Sequence, residues 1–88
     1  MRYHLRIEKK ALRQLKKGDK QISELILKWL YKNIDNSENP RIHGKALVGD
    51  KKGLWRYRIG NYRVICQIKD EELVVLAVEV GHRKDIYR

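Results

Sequence analysis

The sequence predicts an α+β fold, with two helices packed on a small, largely antiparallel, twisted sheet. Three observations carry this. A short alternating run at Tyr3, Leu5 and Ile7 gives way to apolar residues at helical spacing. Two further alternating runs flank Gly60-Asn61, a pair suited to a tight hairpin because glycine accepts positive φ. An almost continuous apolar run, Leu73 to Val80, follows an acidic turn.

Each element can be justified in order. Tyr3, Leu5 and Ile7 alternate with His4 and Arg6, as in a first strand. Ala11, Leu12 and Leu15 then have helical spacing, and Gly18 is placed to end that helix. Asp19 is placed to cap the next one. Ile22, Leu25, Ile26, Trp29, Leu30 and Ile34 form one apolar face of that second helix, with Lys20, Glu24, Lys28 and Lys32 on its polar side. At this spacing Trp29 reads as core. The cluster Asn36-Ser37-Glu38-Asn39-Pro40 stops the helix. Arg41 to Gly53 reads as a connector whose Lys45, Lys51 and Lys52 form a basic loop. Gly49-Asp50-Lys51-Lys52-Gly53 lacks both the glycine spacing and the Lys-Ser/Thr ending of a nucleotide-triphosphate loop.

Composition narrows the class. The 88 residues suffice for one domain, 1–88, with no internal repeat or low-complexity segment. Lys and Arg number 21 against 11 Asp and Glu, a net +10, which favours an anionic partner and exceeds what solubility asks. No run of about 18 apolar residues exists, and the charged, alternating N-terminus is unlike a secretory signal. A cytoplasmic protein without a membrane partner is expected. Cys66 falls on the predicted core face and reads as packing rather than as a catalytic thiol. No His, Cys, Asp and Glu cluster has metal-ligand spacing, so neither metal nor cofactor is expected.

The hairpin carries the functional signal. A turn at Gly60-Asn61 sets Ile59 opposite Tyr62, Arg58 opposite Arg63 and Tyr57 opposite Val64. Trp55, Tyr57, Ile59, Tyr62, Val64 and Cys66 then share a core face, and Arg56, Arg58 and Arg63 share the other. Like charges directly opposite destabilise a sheet, so Arg58 across from Arg63 calls for an anion, most simply a phosphate. For the last strand, pairing Ile68 with Val74 puts Val74, Leu76, Val78 and Val80 in the core and Glu79 opposite Arg63, where it would orient that arginine. A shift of one residue would bury Glu79 and is disfavoured. Asp70-Glu71-Glu72 form the loop in this register.

Trp55-Arg56-Tyr57-Arg58-Ile59-Gly60-Asn61-Tyr62-Arg63-Val64-Ile65, followed by Gly81-His82-Arg83-Lys84-Asp85-Ile86-Tyr87, resembles the RelE branch of the RelE/ParE toxin superfamily. His43-Gly44-Lys45-Ala46-Leu47 and Gly53-Leu54 fit the same pattern, and the likeness covers nearly the whole chain. It implies a type II toxin with the RelE-like microbial ribonuclease fold. Such a toxin enters the ribosomal A site and cleaves mRNA there, without a metal. It also implies a cognate antitoxin that covers the basic surface and mediates most oligomerisation. The ParE branch instead inhibits DNA gyrase, which is the alternative.

The resemblance places the family's basic strand residues on Arg56 and Arg58, its phosphate-contacting arginine on Arg63, its late arginine on Arg83 and its C-terminal tyrosine on Tyr87. Lysines serve at the first two positions in some members. Lys45, Lys51, Lys52 and Lys84 are the accompanying candidates for contact with RNA or ribosome. RNA cleavage needs a base for the 2′-hydroxyl, stabilisation of the phosphorane and a proton for the leaving 5′-oxygen. Arginines suit the second task but, with a pKa above about 12, not the first. The candidate bases are His82, read as projecting near Arg63 and Glu79, and Glu79 itself; a third reading has no protein base of consequence.

Overall fold

The computed structural model describes residues 1–82. Its elements are β1 (His4–Ile7), α1 (Lys9–Lys17), α2 (Lys20–Asn33), β2 (Lys45–Ala46), β3 (Trp55–Ile59), β4 (Tyr62–Lys69) and β5 (Val74–His82). They form one five-stranded sheet in the order β1-β5-β4-β3-β2. β1 runs parallel to β5, and every other pairing is antiparallel. Two helices on a largely antiparallel sheet is the expected α+β architecture.

Local chemistry sets the helices. The Asp19 carboxylate accepts from the amides of Gln21 (2.8 Å) and Ile22 (3.1 Å), satisfying donors that the first turn of α2 leaves open. Ile26, Leu30 and Ile34 are buried against Tyr57, Ile59, Val64, Cys66, Val75, Ala77 and Val80, with Ala11 and Leu15 of α1 closing the core. Leu25 does not join them and is 54% exposed. It lies about 100° round the helix from Ile26, outside the buried arc, whereas Leu27 packs on the core from the arc's other side.

The hairpin has the expected register: Ile59 opposes Tyr62, Arg58 opposes Arg63 and Tyr57 opposes Val64, with Gly60 at φ 60°. The β4–β5 register differs from expectation, in two steps. Leu73 adopts φ 55° and joins the turn, so Val74 pairs with Lys69 and Val75, rather than Val74, pairs with Ile68. A bulge follows: Cys66 pairs with Ala77 but Ile65 with Glu79, leaving Val78 extra. Val75 and Ala77 therefore enter the core cluster in place of Val74, Leu76 and Val78, while Val80 joins it as expected. The bulge restores Glu79 to the outer face, which removes the objection to the shifted register. Glu79 lies opposite Ile65, and Gly81 is the residue opposite Arg63.

The connector is pinned rather than loose. Gly44, at φ 83°, sits where a Cβ would overlap the Arg56 carbonyl and Trp55 Nε1, so the chain passes close against β3. Trp55 Nε1 donates to the His43 carbonyl (2.7 Å) and the Tyr57 hydroxyl to the Pro40 carbonyl (2.7 Å). Trp29 packs against both His43 and Tyr57, as a core residue should. β2 is only two residues long, too short to leave an alternation in the sequence. At the far end of the sheet Arg41 makes a two-pronged pair with Asp70 (2.8 and 2.9 Å), which also accepts from the Tyr3 hydroxyl (2.6 Å). Among the described residues no helix is long and apolar enough to cross a membrane.

Candidate nucleic-acid interface

The sheet face away from the helices collects the cations. Alternation along the strands, with the observed pairing, places Arg58, Arg63 and Gly81 in one cross-strand row. The next row on that face is Lys45, Arg56, Ile65 and Glu79. Beyond the bulge, Arg6 pairs with Leu76, which pairs in turn with Gln67, on the same face. Arg58 and Lys45 are exposed and Arg56 is half-buried. Arg63 is only 4% exposed, although it lies on the side opposite the hydrophobic core. A guanidinium so covered is screened less by salt and water than one on an open surface.

Glu79 is placed differently from expectation. Its ion pairs among the described residues are to Lys10 Nζ (3.2 Å) and Lys51 Nζ (3.8 Å). Lys51 thus reaches the arginine face, as a basic loop should, whereas Lys52 is exposed at the loop. His82 is turned away from Arg63. It pairs with Tyr62, and the two rings meet edge to face with centroids 5.3 Å apart on the core side of the sheet. The expectation that His82 projects beside Arg63 and Glu79 fails because β5 runs on through His82, and alternation from Val80 past Gly81 keeps its ring on the core side. Arg83, Lys84 and Tyr87 lie outside the described residues.

Two cations of this face were missed from sequence. Arg6 was legible in principle, since it alternates with Leu5 and Ile7, but only the parallel pairing of β1 with β5 brings it to this face. Lys10 left no signal, because helix α1 is cationic along most of its length. Three further titratable groups, Cys66, Tyr57 and Asp70, are structural. Burial pushes the Cys66 thiol up, keeping it protonated and inert as a nucleophile. Burial likewise pushes the Tyr57 hydroxyl up. Arg41 and the Tyr3 hydroxyl hold Asp70 down at about 2.

A cationic sheet face behind two helices is chemistry suited to a phosphodiester chain. The family model described as "ParE toxin of type II toxin-antitoxin system, parDE" matches residues 5–87. The protein is thus a toxin of a type II toxin–antitoxin system. Toxin RelG of Mycobacterium tuberculosis is 33% identical over 88 residues, covering 100% of this chain and 99% of that one. The mRNA interferase toxin RelE of Escherichia coli K12 is 31% identical over 86 residues, covering 96% of this chain and 86% of its own. Among solved structures, the toxin–antitoxin complex RelBE2 of M. tuberculosis contains a chain that superposes with a TM-score of 0.84 at 28% identity, covering 94% of this chain and 93% of that one. The isolated E. coli RelE toxin gives 0.71 at 28% identity, with 91% and 83% covered. The chain belongs to the RelE/ParE superfamily and carries the RelE fold.

Proposed function

We propose that this toxin is a metal-independent, ribosome-dependent endoribonuclease that cleaves mRNA in the A site and so arrests translation. The observation that carries the reading is the pairing of Arg58 with the covered Arg63, backed by Arg56 in the next row. Like charges placed opposite each other on a ladder favour an anion between them. A phosphorane, which gains negative charge at the transition state, is such an anion, and each guanidinium offers a fork matched to its oxygens. Arg83 and Tyr87 extend the same constellation in this proposal. Cleavage by the 2′-hydroxyl leaves a 2′,3′-cyclic phosphate on one fragment and a 5′-hydroxyl on the other.

Proton transfer fits the arginine face less well. His82 is directed at Tyr62 on the other face, and the Glu79 carboxylate is engaged by two lysines. Stabilisation by the arginines, with the ribosome aligning the 2′-hydroxyl, therefore carries most of the rate in this reading. Relatives named mRNA interferase support it. The partner proposed is a RelB-type antitoxin, since similar toxins occur in complexes with such proteins. The antitoxin also mediates oligomerisation, and the compartment is the cytoplasm, where ribosomes and mRNA are found.

Primer extension on mRNA in a translation extract tests the proposal. Cuts within A-site codons that vanish with Arg63→Ala are the expected result. A second reading, a gyrase inhibitor without catalysis, is favoured by the ParE description of the matching family model. Uncut mRNA together with inhibited DNA supercoiling would establish that reading instead.

A further inference from the structure

Glu79 is the one acid among the described strand residues, and it lies on the face that gathers the cations. Lys10 from α1 and Lys51 from the connector reach the same oxygen, Oε1, at 3.2 and 3.8 Å. Both ammonium groups are more open to solvent than the acid they share, with side-chain exposures of 59% for Lys10 and 39% for Lys51 against 23% for Glu79. Exposed Lys–Glu pairs contribute only about 0–1 kcal/mol each, so folding alone gives little reason for two lysines from distant segments to converge. Carboxylate and phosphate oxygens are both acceptors for ammonium donors, so the two lysines that meet at the Glu79 carboxylate offer the same donors to a phosphate oxygen.

We infer that Lys10 and Lys51 form a second phosphate subsite, for the RNA phosphate next to the one held by the arginine pair. Glu79 keeps the two ammonium groups together without RNA and gives them up to the phosphate. The inference rests on the reading of the arginine face as an RNA site. Glu79 lies one same-face step along the strands, about 7 Å, and one strand across, about 5 Å, from Arg63. With the reach of the lysine and arginine side chains, the two subsites can be spanned by neighbouring phosphates of an extended RNA strand. Lys10 thereby gains a role that links α1 to the site.

Anisotropy of a fluorescein-labelled, single-stranded RNA, 2′-O-methylated so that it cannot be cut, tests this with the full-length protein over a salt series. Lys10→Ala and Lys51→Ala are each expected to weaken binding roughly 3- to 10-fold at low salt and to flatten the log–log salt slope by about 0.7. Glu79→Gln is expected to tighten binding, because a competing anion is removed. Arg58→Ala, the control for the underlying reading, is expected to weaken binding. Lysine variants that bind like wild type while Arg58→Ala binds weakly would overturn the subsite and leave the reading standing. Wild-type binding by Arg58→Ala would overturn the reading itself. Weaker binding by Glu79→Gln would overturn the role of Glu79 as a displaceable anion.

Discussion

Replacing Asp70 with Asn should loosen the connector that carries Lys45 and Lys51, and the size of the effect can be worked out. Asp70 accepts two bonds from Arg41 and one from Tyr3, tying the β4–β5 turn to the connector and to the start of the chain. These donors lower its pKa from 3.8 to about 2. Taken at face value, that depression is worth at most about 2.5 kcal/mol. The side chains of Asp70 and Arg41 are 52% and 42% exposed, so water and salt screen the pair, and about 1 kcal/mol is the realistic figure. For a chain this long, that loss lowers Tm by about 4–8 °C. The sign with pH follows from the depressed pKa: the stabilisation is complete above about pH 4 and disappears as pH falls through 2. Calorimetry or circular dichroism melts of both proteins at pH 6 and near pH 2 give the test. Equal Tm values at pH 6, or a gap that persists undiminished at the acid end, would refute the reasoning.

Arg63→Ala should cut single-turnover cleavage by roughly 10²–10³-fold, measured on programmed ribosomes, as loss of a donor to a developing oxyanion does. His82→Gln should leave the pH profile of that rate unchanged, because the ring packs edge to face on Tyr62 on the core side of the sheet; a changed profile would return His82 to the mechanism. Gly44→Ala should destabilise by about 3 kcal/mol or more in urea titrations, since it combines strained φ with overlap onto β3. Association with an acidic antitoxin, followed by stopped flow, should slow steeply as salt rises, given the net charge of +10.

The hairpin register was legible because turn chemistry and alternation agreed: Gly60 accepts the turn, and a slip of one residue would have exposed Tyr57 and Val64. The second helix was legible from its apolar face and its cap at Asp19, and only Leu25, at the margin of that face, was misplaced. The last strand was harder. Leu73 is apolar and β-prone, yet it occupies a positive-φ turn position that pattern reading assigns to glycine or asparagine. Nothing in an unbroken run of apolar residues marks where a bulge falls, so Val78 was invisible. Those two local events moved Glu79 off Arg63, whereas His82 fell on the core side because the strand runs on through it, two residues past Val80. Half of the candidate site, the arginines of one hairpin, was set by short-range pairing. The other half depended on where distant segments meet, as with Lys10 and Lys51 at Glu79.

The bulge at Val78 also bears on how this chain can change length. Removing Val78 would leave Ala77 on Cys66 and Glu79 on Ile65, closing the two halves of β5 into one uninterrupted ladder with both faces intact. The strand thus holds one residue of slack at a defined point. Descendants could lose that residue without exchanging core and cationic sides, although the sharper twist a bulge gives to the strand's last residues would relax. Gene-length variation in this strand is therefore expected to gather at Val78, where the geometry absorbs it.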